Sequence, residues 1–314
     1  MASLKDIARQ KPRLASGHRL CPGCGASIAV NQVLHAINYP VVVTSATGCL
    51  EVSTTPFPYT SWEVPFIHSA FENAAATISG VEAAYNSLKR QGKISKDIKF
   101  LAFGGDGGTY DIGFQALSGA VERGHDFLYI CYDNGAYMNT GIQRSGATPV
   151  GAATTTAPPG KESYGKVQRR KDITQIMAAH QIPYTAQASV SYWKDLMRKV
   201  EKAMEIEGPK FINVLSPCPR GWRSIDGQSI SLAKEAVLSC FWPLYEVEDG
   251  NKWKVNVKPR EEQKTPVAEW FKKQGRFKHL FKPGNEQVLE NIQAEIDDQW
   301  QRLLAKEAAS PKEQ

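Results

Sequence analysis

Two short segments of the chain carry side chains suited to phosphate and metal chemistry. The first is the run GGDGG at residues 104–108, which follows an apolar stretch and precedes a helix-like one. Glycines at the end of a parallel strand let the backbone approach a ligand closely, and the next helix offers free N–H groups to anionic oxygens. The carboxylate of Asp106 would repel a phosphate directly, so this loop predicts a divalent cation between them.

The second segment is DNGAYMNTG at residues 133–141, which ends the next apolar run. The Asp106 carboxylate, the Asn134 amide oxygen and the Ala136 carbonyl oxygen can together bind Mg²⁺, which prefers oxygen ligands. Either segment alone is better explained as an ordinary turn rich in Gly and Asn. Because both segments follow consecutive strands, about thirty residues apart, we favour one shared magnesium and diphosphate site.

Four of the six cysteines occupy loop or strand-end positions, namely Cys21, Cys24, Cys49 and Cys218. Four thiolates suit a structural zinc ion or a 4Fe-4S cluster, and spacing alone does not separate the two. Zinc ribbons normally unite two close pairs, whereas Cys49 and Cys218 are single and far apart, which favours a cluster held by loops. The pair Cys21 and Cys24 also fits a thioredoxin-like dithiol, although no strand directly precedes it.

The elements that must position these groups follow a βαβ rhythm. Continuous apolar runs predict strands covered on both faces at residues 41–45, 99–103, 127–132, 184–188 and 211–215. Helix-period stretches predict helices at residues 26–38, 70–91, 112–123, 173–180 and 192–206. The pattern predicts an α/β fold with a doubly wound, mainly parallel sheet. Residues 141–164 are rich in Gly, Ala, Thr and Pro, which predicts a long irregular loop.

We expect two regions, an α/β domain at residues 1–250 that binds the cofactors and a charged helical C-terminal extension at residues 251–314. In the extension, Thr265 and Pro266 predict the N-cap and first residue of a helix that Gly275 ends. A last helix at residues 285–308 carries one apolar stripe that must be covered. Packing on its own domain and contact with another subunit are both open.

Composition places the chain among ordinary globular proteins, with 314 residues of which 42% are apolar. No apolar run approaches the ~18 residues of a membrane span, so we expect a cytoplasmic protein with reduced thiols and no membrane partner. The net charge of +6 is mild and dispersed, which predicts no nucleic-acid partner. The basic run at residues 166–171 predicts a solvated face, with docking of an acidic partner as the alternative. Cys131 and Cys240 lie in apolar stretches and are interpreted as buried hydrophobic residues.

The run GDG at residues 105–107, followed by Asp133 and Asn134, resembles the thiamine diphosphate fingerprint, with Asp133 where that fingerprint commonly has a first Asn. The string YDNGAYMNTGIQRS at residues 132–145 resembles the β subunit of the pyruvate- and oxalate-type oxoacid:ferredoxin oxidoreductases. This resemblance spans roughly residues 15–225 and implies the thiamine diphosphate-binding fold.

The resemblance also implies which residues bind the cofactors. A 4Fe-4S cluster next to the thiamine diphosphate would be ligated by Cys21, Cys24, Cys49 and Cys218. The residues implied to contact thiamine diphosphate and its Mg²⁺ are Cys49, Gly105, Asp106, Gly107, Gly108, Thr109, Asn134, Ala136, Tyr137, Met138 and Asn139. Asn139 is the implied catalytic residue, which would orient the reacting group.

The function implied by the resemblance is oxidative decarboxylation of a small oxoacid, with electrons passed to an external ferredoxin. The substrate would be pyruvate, with coenzyme A accepting the acetyl group, or oxalate, which needs no coenzyme A. An α-type subunit would supply the activating carboxylate, and a ferredoxin-like subunit would carry further clusters. The alternatives are a non-oxidative thiamine-dependent decarboxylase or carboligase, which needs no iron, and a zinc-stabilised interaction module, which needs no thiamine.

Overall fold

A computed structural model describes residues 4–311 of the chain. Within these residues, one eight-stranded sheet has the order β2-β1-β3-β4-β6-β5-β7-β8. Strands β1 to β6 are parallel, whereas β7 and β8 are antiparallel at one edge. The strands are β1 Val41–Ala46, β2 Phe66–Ser69, β3 Lys99–Gly105, β4 Leu128–Asp133, β5 Tyr184–Ser189, β6 Lys210–Leu215, β7 Tyr245–Glu248 and β8 Lys252–Val255.

Helices cover both faces of this sheet. They are α1 Leu4–Arg9, α2 Gly25–His35, α3 Cys49–Thr54, α4 Ala74–Arg90, α5 Phe114–Glu122, α6 Ile173–Ala179, α7 Trp193–Glu205, α8 Pro219–Trp222, α9 Ser229–Leu238, α10 Val267–Lys272 and α11 Glu286–Ala308. The apolar residues of α2, α7 and α9 pack in one core cluster, and those of α4, α5 and α6 pack in another. The central strands β4, β5 and β6 are buried along their whole length, as continuous apolar runs require.

The predicted fold class is confirmed, since the described residues form a mainly parallel α/β sheet with helices on both faces. The five predicted strands and five predicted helices are present with small changes of bounds. The helix predicted at residues 70–91 begins at Ala74, because residues 70–73 form a turn after the edge strand β2. The helix expected from residue 112 is preceded by a π-helical turn at Gly108–Ile112, so helical backbone begins nearer to the GDG loop. The hairpin of β7 and β8 was not predicted.

The C-terminal region packs on the core of this same chain. The apolar stripe of α11 is buried at Ile292, Ile296, Trp300 and Leu303. Helix α10 begins one residue later than predicted, with Pro266 at the N-cap. The prediction that Gly275 ends this helix is wrong, because α10 ends at Lys272 and Gly275 begins a 3-10 helix.

Four loops converge because of the strand order. Strands β1, β3, β4 and β6 are consecutive neighbours in the sheet, and all four run in the same direction. Their carboxyl ends therefore lead into the loops that carry Cys49, Asp106, Asn134 and Cys218. Crevices at the carboxyl ends of parallel strands are the usual ligand sites of such sheets. Among the helices within residues 4–311, none is long and apolar enough to cross a membrane.

Candidate cofactor site

The carboxylate of Asp106 is buried at the end of β3. Its Oδ2 accepts a hydrogen bond of 2.5 Å from Ser145 Oγ, and its Oδ1 accepts one of 3.2 Å from the backbone N–H of Asn134. Burial, followed by the charge of Asp133, raises the pKa of Asp106 well above its ordinary value. An ionised carboxylate in this position therefore needs a cation that the hydrogen bonds do not supply.

Two further oxygen-bearing groups lie beside this carboxylate, which makes three in all. The oxygen end of the Asn134 amide lies 3.0 Å from Asp106 Oδ1 and 2.9 Å from the carbonyl oxygen of Ala136. If no cation is present, the amide can turn and donate its N–H groups to both oxygens. With the oxygen facing inward, both distances match the spacing of neighbouring ligands around Mg²⁺, whose bonds of about 2.0–2.1 Å at right angles separate adjacent oxygens by about 3 Å. The residues thus fit a bound magnesium ion.

A cleft opens above these three groups. Ten of the eleven residues expected to contact the cofactor and its metal line it, namely Cys49, Gly105, Asp106, Gly107, Gly108, Asn134, Ala136, Tyr137, Met138 and Asn139. Thr109 does not, because its side chain is buried and its hydroxyl donates to the Gly105 carbonyl at 2.8 Å. Sequence reasoning missed five further lining residues, Thr47, Gly48, Phe71, Tyr132 and Thr140.

Two glycines of the site are required by geometry. A Cβ at Gly107 would lie 2.3 Å from the Tyr137 ring, whose hydroxyl donates to the Gly107 carbonyl at 2.8 Å. Gly135 adopts φ +78°, a conformation that disfavours other residues, and so allows the turn between Asn134 and Ala136. The GDG loop and the loop after β4 are therefore in close contact, with the Tyr137 ring against the backbone of Gly107.

Asp133, which stands where the fingerprint commonly has Asn, faces away from Asp106 into a separate network. Its Oδ2 accepts hydrogen bonds of 2.5 Å from the Tyr110 hydroxyl and 2.6 Å from Arg170. Its Oδ1 accepts a hydrogen bond of 3.0 Å from the backbone N–H of Gly135. Asp133 thus fixes the turn that carries Asn134, while Arg170 compensates its charge.

The prediction that residues 166–171 form a solvated face is wrong for two residues, Lys166 and Arg170. Lys166 is buried, and its ammonium donates to the Thr148 carbonyl at 2.6 Å. Arg170 is largely buried between Asp133 and the Trp242 ring, whose centre lies 4.5 Å from the guanidinium carbon. Charge runs are usually solvated, but these two side chains neutralise and cap buried polar groups of the cofactor loops.

The three loops that carry the four cysteines lie close together. The backbone N–H of Gly25 donates to the Pro217 carbonyl at 2.8 Å, which joins the Cys24 loop to the Cys218 loop. Burial, followed by the charges of the other three thiols, raises the pKa of Cys49 to about 12. Burial also raises the pKa of Cys218 to about 11, and the thiols of Cys24 and Cys21 act on it as well.

Within residues 4–311, no three His, Cys, Asp or Glu side chains form a group compact enough to hold a metal ion. The four thiols are therefore electrostatic neighbours and not a closed ligand set, and their ligation of a cluster stays a prediction. Cys131 and Cys240 are buried among apolar residues of the core.

A buried arginine of the C-terminal region lies behind the site. The guanidinium carbon of Arg276 lies 4.4 Å from the ring centre of Trp222, and that indole donates to the Asn134 carbonyl at 2.7 Å. Burial lowers the pKa of Arg276 to about 9, although the charges of Cys218, Asp133 and Asp106 favour its protonated form. Among the ion pairs of the described residues, none includes Arg276. No pattern in the sequence indicates this contact, because it depends on tertiary packing.

Comparison with known proteins assigns the class of domain. Residues 46–214 match the family model described as "Thiamine pyrophosphate enzyme, C-terminal TPP binding domain". A solved 2-oxoglutarate:ferredoxin oxidoreductase from Magnetococcus marinus shares the fold, with a TM-score of 0.55 and 23% identity over 72% of this chain and 81% of that chain. The fold and the family model together define a thiamine diphosphate-binding α/β domain.

More similar relatives narrow this class. Pyruvate synthase subunit PorB of Thermotoga maritima is 54% identical over 97% of this chain and 96% of its own length. The same subunit of Methanocaldococcus jannaschii is 54% identical over 95% and 99% of the two chains. Ketoisovalerate oxidoreductase subunit VorB of Pyrococcus abyssi is 44% identical over 92% and 91%. The chain belongs to the family of β subunits of oxoacid:ferredoxin oxidoreductases, which confirms the resemblance seen in the sequence.

Replacing the buried cation of the Asp133 network should destabilise the chain. We expect Arg170→Met to lower the free energy of unfolding by about 3–5 kcal/mol, because it leaves the Asp133 carboxylate buried without a compensating charge. In Arg170→Met/Asp133→Asn the loss should be smaller than in the single variant. The neighbouring Arg169→Met removes only an exposed ion pair and should cost under about 1 kcal/mol. Urea unfolding measures all four proteins, and equal losses for the two arginine variants would contradict the network's role.

The buried carboxylate of Asp106 also predicts a pH dependence in the absence of metal. A native pKa raised above 3.8 means that the folded chain binds a proton more tightly than the unfolded chain. The free energy of unfolding of the wild type should therefore fall as pH rises above about 4. Asp106→Asn cannot titrate and should lack this decline. Urea unfolding in EDTA, from about pH 4 to about pH 8, compares the two proteins. If the free energy of unfolding changes with pH in the same way in both, ionisation of Asp106 does not destabilise the fold.

Proposed function

We propose that this chain binds thiamine diphosphate through Mg²⁺ at the Asp106 site and a 4Fe-4S cluster at the four cysteines. As a β subunit, it would support oxidative decarboxylation of pyruvate. The observation that carries the proposal is the convergence of three oxygen ligands, one of them a buried carboxylate, at the carboxyl ends of β3 and β4. The match of residues 46–214 to a thiamine pyrophosphate-binding domain supports the same assignment.

Each residue of the site has a role in this proposal. Asp106, Asn134 and Ala136 hold Mg²⁺, and Gly105, Gly107 and Gly108 allow the backbone to approach the diphosphate. Tyr137, Met138 and Asn139 wall the cleft, and the exposed amide of Asn139 is free to orient an oxoacid at its mouth. When bound, thiamine diphosphate supplies the carbanion chemistry of decarboxylation, and the cluster supplies an electron acceptor.

The positions of the cysteines support a cluster beside the thiamine site. Cys49 lines the cleft itself, and Met138, another lining residue, lies against the Cys218 loop, where a Cβ at Gly221 would meet its sulfur at 2.1 Å. The ligand sulfurs of a 4Fe-4S cube lie farther apart than those around a single zinc ion, so neighbouring thiols on separate loops suit a cube better. A short separation between cofactor and cluster is what one-electron transfer needs.

Pyruvate is the proposed substrate, with coenzyme A as acyl acceptor. The two relatives at 54% identity are pyruvate synthase subunits, whereas the ketoisovalerate oxidoreductase subunit is 44% identical. Membership of this oxidoreductase family favours the oxidative reaction over a non-oxidative decarboxylase or carboligase. Oxalate has no support among these relatives, and it remains an outcome of the substrate test.

We further propose that the site becomes complete only in a complex. Thiamine chemistry requires a carboxylate next to the aminopyrimidine ring. Among the described residues that line the cleft, Asp106 is the one with a carboxylate, and it faces the metal position. An α-type subunit would supply that carboxylate, and a ferredoxin-like subunit would conduct electrons to external ferredoxin. The relatives are named as subunits, which supports an assembly of several chains.

Iron analysis tests the cluster on this chain. The full-length chain, purified without oxygen, should contain about four iron and four sulfide ions. Cys49→Ala and Cys218→Ala should lose most of both, because each removes a ligand. Cys240→Ala, a substitution at a cysteine remote from the cleft, should retain them. Zinc in place of iron, or iron unaffected by the two ligand variants, would refute the assignment.

A substrate assay tests the reaction. In the oxygen-protected complex, viologen reduction should be fastest with pyruvate and should require coenzyme A, and oxalate and branched oxoacids should be poor substrates. The isolated chain should show no turnover, because the activating carboxylate is absent. Faster reduction with oxalate, or full activity of the isolated chain, would overturn the respective proposal.

A further inference from the structure

A buried tyrosine beside the cleft has a hydroxyl group without a partner. Tyr132, on β4, is 2% exposed, and no atom of the described residues forms a hydrogen bond with its Oη. Leaving such a group unpaired costs about 1–3 kcal/mol. An orphaned polar group in a functional cleft indicates a partner that the polypeptide itself does not provide.

The backbone around Tyr132 is fitted to this hydroxyl. A Cβ at Gly48 would lie 2.7 Å from Tyr132 Oη, so only glycine at position 48 leaves room for it. A Cβ at Gly105 would approach the tyrosine ring at 3.3 Å, which places the ring under the GDG loop. The hydroxyl is therefore held next to Gly48, the residue before Cys49. Tyr132 and Cys49 both line the cleft.

A second tyrosine on the same strand has the ordinary arrangement. Tyr129 is also buried, and its Oη lies 3.1 Å from Thr109 Oγ1, a hydroxyl inside the protein. Strand β4 thus pairs one tyrosine internally and leaves the other unpaired at the cleft. This difference provides a matched control.

Two acceptors could satisfy Tyr132 in the loaded protein, a sulfur atom at Cys49 or a diphosphate oxygen near Asp106. Its position against Gly48 favours sulfur. A tyrosine hydroxyl carries one O–H, which can donate to either acceptor.

We propose that Tyr132 donates a hydrogen bond to a sulfur atom of the cluster bound at Cys49. This inference rests on the cluster of the proposed function. Hydrogen bonds to sulfur help to set the reduction potential of such clusters. Because reduction adds an electron to the cluster, the O–H donor stabilises the reduced form more than the oxidised form. Tyr132 therefore raises the reduction potential of the cluster.

The test compares the oxygen-protected complex carrying the wild-type chain, Tyr132→Phe or Tyr129→Phe by redox titration followed with electron paramagnetic resonance. A Cys49→Ala variant identifies the cluster of this chain, because its signal disappears. We expect the potential of that cluster to shift to a more negative value in Tyr132→Phe and to stay unchanged in Tyr129→Phe. The other clusters of the complex should keep their potentials in both.

A second measurement needs no change in the wild-type chain. After exchange into deuterated water, electron–nuclear double resonance of the reduced cluster should detect an exchangeable deuteron close to it. One deuteron coupling of the wild type should be lost in Tyr132→Phe, whereas the coupling of backbone N–H groups such as that of Gly221, which donates to Cys218 Sγ at 3.3 Å, should remain. If this variant does not assemble, a wild-type spectrum that backbone N–H deuterons account for completely overturns the proposal.

The remaining outcomes are distinct from one another. A potential and a deuteron signal that are both unchanged in Tyr132→Phe refute the hydrogen bond. Weaker binding of thiamine diphosphate at an unchanged potential also refutes it, and assigns the hydroxyl to the diphosphate. If Cys49→Ala loses no cluster signal, the cluster assignment of the proposed function fails, whatever the hydroxyl does.

Discussion

The arrangement of the cofactor loops depends on one electrostatic constraint, the burial of the Asp106 carboxylate without a cation of its own. Its hydrogen bonds from Ser145 and from the Asn134 backbone orient it but leave its charge uncompensated. The Asn134 amide and the Ala136 carbonyl then place two further oxygens within about 3 Å of that carboxylate or of each other. An amide oxygen that faces two other acceptors is unfavourable in isolation and favourable around a divalent ion. The site is therefore organised for a charge that must come from a ligand.

The neighbouring Asp133 shows the contrast between a structural and a ligand-binding carboxylate. Asp133 directly precedes Asn134 in the chain, yet its carboxylate is satisfied inside the protein by Arg170, Tyr110 and the backbone N–H of Gly135. Because Asp133 is paired with Arg170, its carboxylate oxygens are not available as metal ligands. The same division applies to the two tyrosines of β4, of which one is paired within the fold and one is not.

Sequence reasoning succeeded where the signal was local. Apolar runs bounded by glycine located β1, β3, β4, β5 and β6, and the glycine, Asp and Asn residues after them located the converging oxygens. It failed where the partner is distant in the chain. Arg170 belongs to a run that reads as a solvated face, and its partner Asp133 lies 37 residues away. Ser145 lies in a loop that propensity cannot order, and Thr109 sits in the expected motif but turns its hydroxyl inward.

The most direct measurement is an anomalous difference map from crystals of the chain grown with Mn²⁺ and thiamine diphosphate. One manganese peak should lie within bonding distance of Asp106 Oδ1, the Asn134 amide oxygen and the Ala136 carbonyl oxygen, with diphosphate oxygens completing the octahedron. A peak elsewhere, or an Asn134 amide turned to donate its nitrogen to Asp106 while the cofactor is bound, would contradict this arrangement.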